Sequence, residues 1–233
     1  MEKENHVTVA CVFWHGLYRA PKYVNPRYST MWVKHLASMI ERNLDIPYEF
    51  VCLSNTMFDL PGIRVIPLES TMLHGWWAKM ELFKPKLPVR DGRILYLDLD
   101  MVLLKDMKPF VEFDAPFAIC PAFGRPEDRE EGELHGYNSS VMAWNKPLDV
   151  PIWDVFAVKK RYWMKHYRSD QDFLKEVFPN FATFPEGWIR KLRSCVNNRK
   201  EVIPDKKTKI ILSMPTKNVD AAREYKLIRK LWK

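Results

Sequence analysis

Arg93-Ile94-Leu95-Tyr96-Leu97-Asp98-Leu99-Asp100 is an apolar run that ends in two carboxylates. Its residues favour strand, and residues two apart in a strand project to the same side, so Asp98 and Asp100 would point together. A buried carboxylate is costly unless it is paired or coordinates a metal. Two of them, aligned at the end of an apolar strand, suit a divalent cation. The plainer alternative is a strand that ends in acidic surface residues before a turn.

Working outward, the chain alternates between strand and helix patterns. Upstream, Val7–Phe13 reads as a first strand, followed by a loop with Gly16, Pro21 and Pro26 and a helical pattern over 28–44 that Pro47 closes. Strands at 48–53 and 63–66 flank a Pro61-Gly62 turn. Trp77, Met80 and Phe83 stand at helical spacing and predict a helix over 76–87, and Asp91-Gly92 then turns the chain into the acidic strand. Downstream, strands are expected at 116–120, around 140–144 and at 209–212, with helices at 152–165 and 170–178 and a basic closing helix over 219–232. This order predicts an α/β fold with a mixed or parallel central sheet flanked by helices. No repeat or interdomain linker interrupts it, so residues 1–233 read as a single domain. In open α/β sheets ligands sit beyond the carboxyl ends of the strands, which is where Asp98, Asp100 and residues 14–18 fall.

The formal net charge of +8 favours anionic partners, yet the cations are spread along the chain until its last third. Dense basic patches stand at Lys159-Lys160-Arg161, at Lys206-Lys207-Thr208-Lys209 and in the tail, and each is also read as a plain solvated face. No recognised nucleic-acid motif accompanies the charge, so no nucleic-acid partner is expected. The opening residues are polar and do not read as a signal peptide, and no apolar stretch approaches the roughly 18–20 residues that span a bilayer. Cys11, Cys52, Cys120 and Cys195 are widely spaced, and three lie in strand-like runs, which predicts buried thiols in a reducing cytoplasm. Leu227, Ile228, Leu231 and Trp232 could dip into a membrane interface while the tail's lysines and arginines meet headgroups; the alternative is a terminal helix docked on the core.

Tyr96-Leu97-Asp98-Leu99-Asp100 resembles the Asp-x-Asp motif of GT-A (Rossmann-like) fold glycosyltransferases, and over most of the chain the likeness extends to glycogenin-like, family 8-like enzymes and related bacterial and viral sugar transferases. Trp76-Trp77-Ala78-Lys79-Met80-Glu81-Leu82-Phe83 resembles the helix before that motif, Tyr137-Asn138-Ser139-Ser140-Val141-Met142 the Asn-Ser-x-Val segment, and Ser169-Asp170-Gln171-Asp172 the Asp-Gln motif. The resemblance implies a nucleotide-diphosphate sugar as donor, Mn²⁺ or Mg²⁺ as cofactor, a glycan, lipid-linked or protein acceptor, and a retaining outcome. Hard cations prefer carboxylate and phosphate oxygens, so Asp98 and Asp100 are the implied metal ligands. Tyr18 would stack on the base, Lys79 would reach the ribose or sugar, and Asn138 and Ser139 would hydrogen-bond the donor sugar. Asp170 and Gln171 match the pair nearest the anomeric carbon, although Ser169 and Asp170 also suit an ordinary helix start. Lys217 would meet the diphosphate.

One departure is clear. The family's third metal ligand is a histidine after the last strand; counting back from Lys217, its place is taken by Ser213 or Ile211. His135, just before Asn138, is the nearest histidine in sequence that could complete the shell. Two other readings stand beside the transferase. One is a glycosyltransferase-like protein that binds sugar nucleotide or glycan without turnover. The other is a haloacid-dehalogenase-type phosphatase, whose nucleophile loop Leu97-Asp98-Leu99-Asp100-Met101-Val102 also resembles, although that motif usually opens its chain.

Overall fold

The computed structural model describes residues 6–16, 28–123, 136–212 and 224–233. Strand β1 (Val7–Phe13) is buried along its whole length, as expected of a strand covered on both faces. It pairs in parallel with β2 (Glu49–Ser54) on one side and β4 (Gly92–Leu97) on the other, and β3 (Ile63–Pro67) extends the parallel set beyond β2. Next to β4 the direction reverses. There β7 (Tyr137–Lys146) runs antiparallel to β4, and β6 (Phe117–Pro121) runs antiparallel to β7. The short β8 (Ala182–Thr183) completes the order β3-β2-β1-β4-β7-β6-β8. A smaller sheet joins β5 (Met101–Leu103), β10 (Ile210–Leu212) and β9 (Ile189–Lys191), with β10 in the middle. Gly92 opens β4 against the chain at His6: a Cβ there would stand 2.2 Å from the His6 carbonyl oxygen, and its φ is 145°. Glycine alone fits such a close approach.

Alternation along the central strands builds two cores. Val9, Cys11, Leu95 and Leu97 enter one, together with the buried stripe Trp32, Val33, Leu36, Met39 and Ile40 of helix α1 (Thr30–Asn43). Ala10, Val12, Ile94 and Tyr96 enter the other, with Trp77, Met80, Phe156 and Phe173. The second core is covered by the segment Gly75–Phe83 and by α3 (Ile152–Val158), α4 (Lys160–His166) and α5 (Asp170–Val177). A one-turn helix, α2 (Lys108–Val111), lies between β5 and β6. All four cysteines are buried and free.

Three expected helices differ in detail. Gly75–Phe83 is a 3₁₀ helix rather than the α-helix expected over 76–87. The i, i+3, i+6 spacing of Trp77, Met80 and Phe83 fits three residues per turn better than 3.6. The helix expected over 152–165 is two helices that meet at Lys159, where φ −132° and ψ 36° leave the helical region. Of the closing helix, the described part is α6 (Lys226–Leu231). Ile228 is fully buried, and Leu231 and Trp232 pack on the α1 side of the sheet. Trp232 meets Trp32 edge-on at 4.8 Å, and the Arg42 guanidinium donates to the carbonyls of Leu231 (2.7 Å) and Lys233 (3.0 Å). The apolar face that the sequence offered to a membrane is thus largely occupied by the protein's own core. No helix among the described residues is long and apolar enough to cross a membrane.

Candidate active site

The site gathers at the carboxyl edge of β4. The strand ends at Leu97, so Asp98 and Asp100 stand in the turn into β5 rather than in the strand itself. Asp98 still follows the strand's alternation, because the Tyr96 hydroxyl, two residues back, donates to its Oδ1. The Asp98 amide donates to the Ser140 carbonyl at 2.9 Å, which ties the turn to the start of β7. Because β7 is antiparallel to β4, its first residues lie at the same edge as the end of β4. There the register between β6 and β7 jumps from Ile119↔Met142 to Cys120↔Asn138. Such bulges re-aim side chains next to sites.

Lys79 is the centre of the cluster. The 3₁₀ segment carries it inward, only 7% exposed. Its Nζ lies 3.2 Å from Asp98 Oδ1 and 3.6 Å from Asp170 Oδ2, and it donates to Ser139 Oγ at 2.9 Å. Burial works against the charge of Lys79, but the carboxylates of Asp170, Asp98 and Asp100 outweigh it and raise the pKa above the ordinary lysine value. Asp170 opens α5 and is 2% exposed. Burial raises its pKa despite the opposing influence of Lys79 and a hydrogen bond with Ser139. Its Oδ2 has no hydrogen-bond donor among the described residues and relies on the Lys79 ion pair. The Tyr96 hydroxyl is pushed well up, first by burial and then by Asp98.

Lys79, Asp98, Ser139 and Asp170, four of the residues singled out in the sequence, therefore lie together, with Asp100 near enough to act on Lys79 electrostatically. Ser139 is engaged with Lys79 and Asp170, so its hydroxyl clamps these two charges. Asn138 turns its side chain to its own backbone, where Oδ1 accepts from the Ser140 amide at 3.0 Å. Gln171 sits partly exposed in the first turn of α5 beside Asp170. Ser169 occupies the N-cap position but makes no side-chain cap bond. Tyr18, His135, Ser213 and Lys217 lie outside the described residues. Sequence reasoning passed over Tyr96, taken there only as a strand former; its alternation with Asp98 was the available signal.

Three carboxylates against one ammonium leave the cluster anionic, and the two at the strand end are hard oxygen donors. That donor chemistry fits Mg²⁺ or Mn²⁺. Among the described residues no group of three or more His, Cys, Asp or Glu side chains is placed to hold a metal ion. Ile211, one of the two positions that the family pattern would give to histidine, is a fully buried core residue of β10.

The mixed sheet, with β7 reversed beside β4 and helices on both faces, matches the GT-A-like fold of solved glycosyltransferases. The galactosyltransferase LgtC, solved with donor and acceptor sugar analogs, superposes with a TM-score of 0.64 at 14% identity, covering 97% of this chain and 96% of that one. An active-site mutant of LgtC gives 0.63 at 14% identity, covering 88% and 86%. The glycosyltransferase GlyE of Streptococcus pneumoniae gives 0.50 at 15% identity, with 80% of this chain against 47% of that one. No family profile and no curated protein matches the sequence.

Proposed function

We propose that this protein is a glycosyltransferase that moves a sugar from a nucleotide-diphosphate donor to an acceptor, with retention at the anomeric carbon. The observation that carries the reading is the buried Lys79 held between Asp98 and Asp170 at the carboxyl edge of the sheet. Fold likeness to known glycosyltransferases supports it over the phosphatase alternative. Asp98 and Asp100 would hold a Mn²⁺ or Mg²⁺ ion, which when bound supplies positive charge against the diphosphate leaving group. The chain's own residues do the rest. Lys79 fixes the two carboxylates relative to each other, so neither has to reorganise as charge develops. Asp170, whose Oδ2 accepts no hydrogen bond from a described residue and has only the Lys79 ion pair, would take a sugar hydroxyl, with Gln171 next to it in the first turn of α5. Tyr18 would take the base and Lys217 the diphosphate, as the resemblance implies.

Isothermal titration with UDP-, GDP- and dTDP-sugars, with and without Mn²⁺, tests the reading, together with mass spectrometry of transfer products. One donor class is expected to bind and turn over, and Asp100→Asn is expected to lower turnover at least a hundredfold with the fold intact. If no nucleotide sugar binds, the assignment fails. The lack of a histidine at either Ser213 or Ile211, the two positions that the family pattern would give to a metal ligand, favours a second reading, a protein that binds the donor without consuming it; binding with no hydrolysis or transfer would select that one.

A further inference from the structure

The segment that leads into α5 carries a strongly basic surface. From Val155 to Ser169 the chain carries no acid, while Lys159, Lys160, Arg161, Lys165 and Arg168 supply five cations, with His166 among them. None of the five is ion-paired with a described residue. Lys160 lies over the Trp153 ring at 4.8 Å, and the other four are exposed. Helical spacing sorts α4 into two sides. Trp163 and Met164 face the protein: Trp163 packs on Phe173 of α5 at 5.2 Å and donates its indole N–H to the Val155 carbonyl. Arg161, Tyr162, Lys165 and His166 face out, with Tyr162 47% exposed and stacked on His166 at 3.9 Å. At the α3–α4 corner Val158 is 79% exposed.

Cations on an outward helix face, with an aliphatic and an aromatic side chain left among them, match the two components of a bilayer interface. Lysines and arginines meet anionic headgroups, while an apolar residue and a tyrosine enter the boundary below them. A polyanion in solution would use the charges and leave Val158 with nothing to contact. The tail, another basic segment, has packed its Ile228 and Trp232 against the protein core. We propose that the α3–α4 corner, through Val158, Lys159, Arg161, Tyr162 and Lys165, docks on an anionic phospholipid surface. Only three residues separate His166 from Asp170, and Trp163 fixes α4 to the helix that bears Asp170. Docking therefore holds the helix that bears Asp170 close to the bilayer. Vesicle binding needs neither donor nor acceptor, so its failure leaves the transferase reading standing, and the reverse holds too.

The test is co-sedimentation of the full chain with phosphatidylcholine vesicles, with and without 30 mol% phosphatidylglycerol, at about 0.1 M salt. Binding is expected only to the anionic vesicles. Each cation facing an anionic leaflet strengthens partitioning about fivefold, so Lys159→Gln/Arg161→Gln/Lys165→Gln should weaken it about a hundredfold. Val158→Ser/Tyr162→Ser, which leaves the charge unchanged, should also weaken it measurably. All five positions are exposed, and unchanged thermal unfolding confirms that the variants fold. Equal binding to both vesicle types overturns the proposal. So does anionic binding that survives the triple variant or is lost instead with Lys226→Gln/Arg229→Gln/Lys230→Gln. Heparin or oligonucleotide binding that exceeds vesicle binding and ignores Val158→Ser/Tyr162→Ser also overturns it, and points to a soluble polyanion.

Discussion

Lys79→Met keeps the lysine stem and removes the ammonium that lies 3.2 Å from Asp98 and 3.6 Å from Asp170. Breaking a buried ion pair from one side costs about 3–5 kcal/mol, because the surviving charge has lost its partner. Asp170 is 3% exposed at its side chain and pays in full, while Asp98 at 22% recovers part from water, so about 3 kcal/mol is expected. For a chain of this length that is about 10 °C in Tm. The loss depends on pH. Burial already holds the Asp170 pKa above its ordinary value against the pull of Lys79, and it rises further once that pull is gone. A carboxyl whose folded pKa exceeds its unfolded value stabilises the native state fully below the unfolded value, and that contribution disappears as pH rises through the folded one. The gap between variant and wild type should therefore be widest at pH 8 and narrow toward pH 5. Urea titrations followed by tryptophan fluorescence, in EDTA so that no metal substitutes for the ammonium, measure it. Lys79→Met/Asp170→Asn should recover about 2 kcal/mol of the loss at pH 8. A gap that does not change with pH, or a double variant no more stable than Lys79→Met, would refute the claim that Lys79 neutralises a buried Asp170.

Tyr96→Phe removes the hydroxyl that donates to Asp98, and urea denaturation should show a loss of about 1.5–3 kcal/mol, the range for a hydrogen bond to a charged group. Glu81→Gln should cost about 2 kcal/mol, since this 2% exposed carboxylate accepts from the amides of Glu69 (3.0 Å) and Ser70 (2.7 Å) and from Lys84. Hydrogen exchange at the Glu69 and Ser70 amides should quicken in that variant. Trp232→Ala should lower stability by about 2 kcal/mol and expose the end of the chain to limited proteolysis ahead of the rest, because Trp232 packs on Trp32 and His35.

Much of the central sheet was legible because its strands are long enough to show a pattern. Val7–Phe13 is apolar at every position but Thr8, and α1 repeats its buried residues every three or four places. Strands β5, β8 and β9, of three, two and three residues, are too short for any period to register, and the second sheet that β5 and β9 help to form was missed with them. Gly75–Phe83 misled because eight of its nine residues are buried, which removes the polar face that separates one helix type from another. Lys79 and Asp170 could be named from the sequence. Their contact could not, since it depends on how a 3₁₀ segment and the start of α5 converge on β7. Ser139 shows the same limit: its residue type fits a sugar-binding hydroxyl, and only the geometry reveals that Lys79 occupies it.

The reversal of β7 has a consequence for what the chain can tolerate. Leu97 lies opposite Val141 and Tyr96 opposite Met142, so the end of one strand and the beginning of another are aligned rung by rung. The two halves of the cluster are about forty positions apart in sequence, yet their spacing is read from this ladder and not from the chain between them. Lengthening or shortening the connection outside the paired segments changes a tether and leaves the alignment alone. Sliding β7 by a single rung would turn Ser139 away and present its neighbours instead, exchanging every side chain on that face at once. The cluster is therefore robust to insertions and intolerant of slippage.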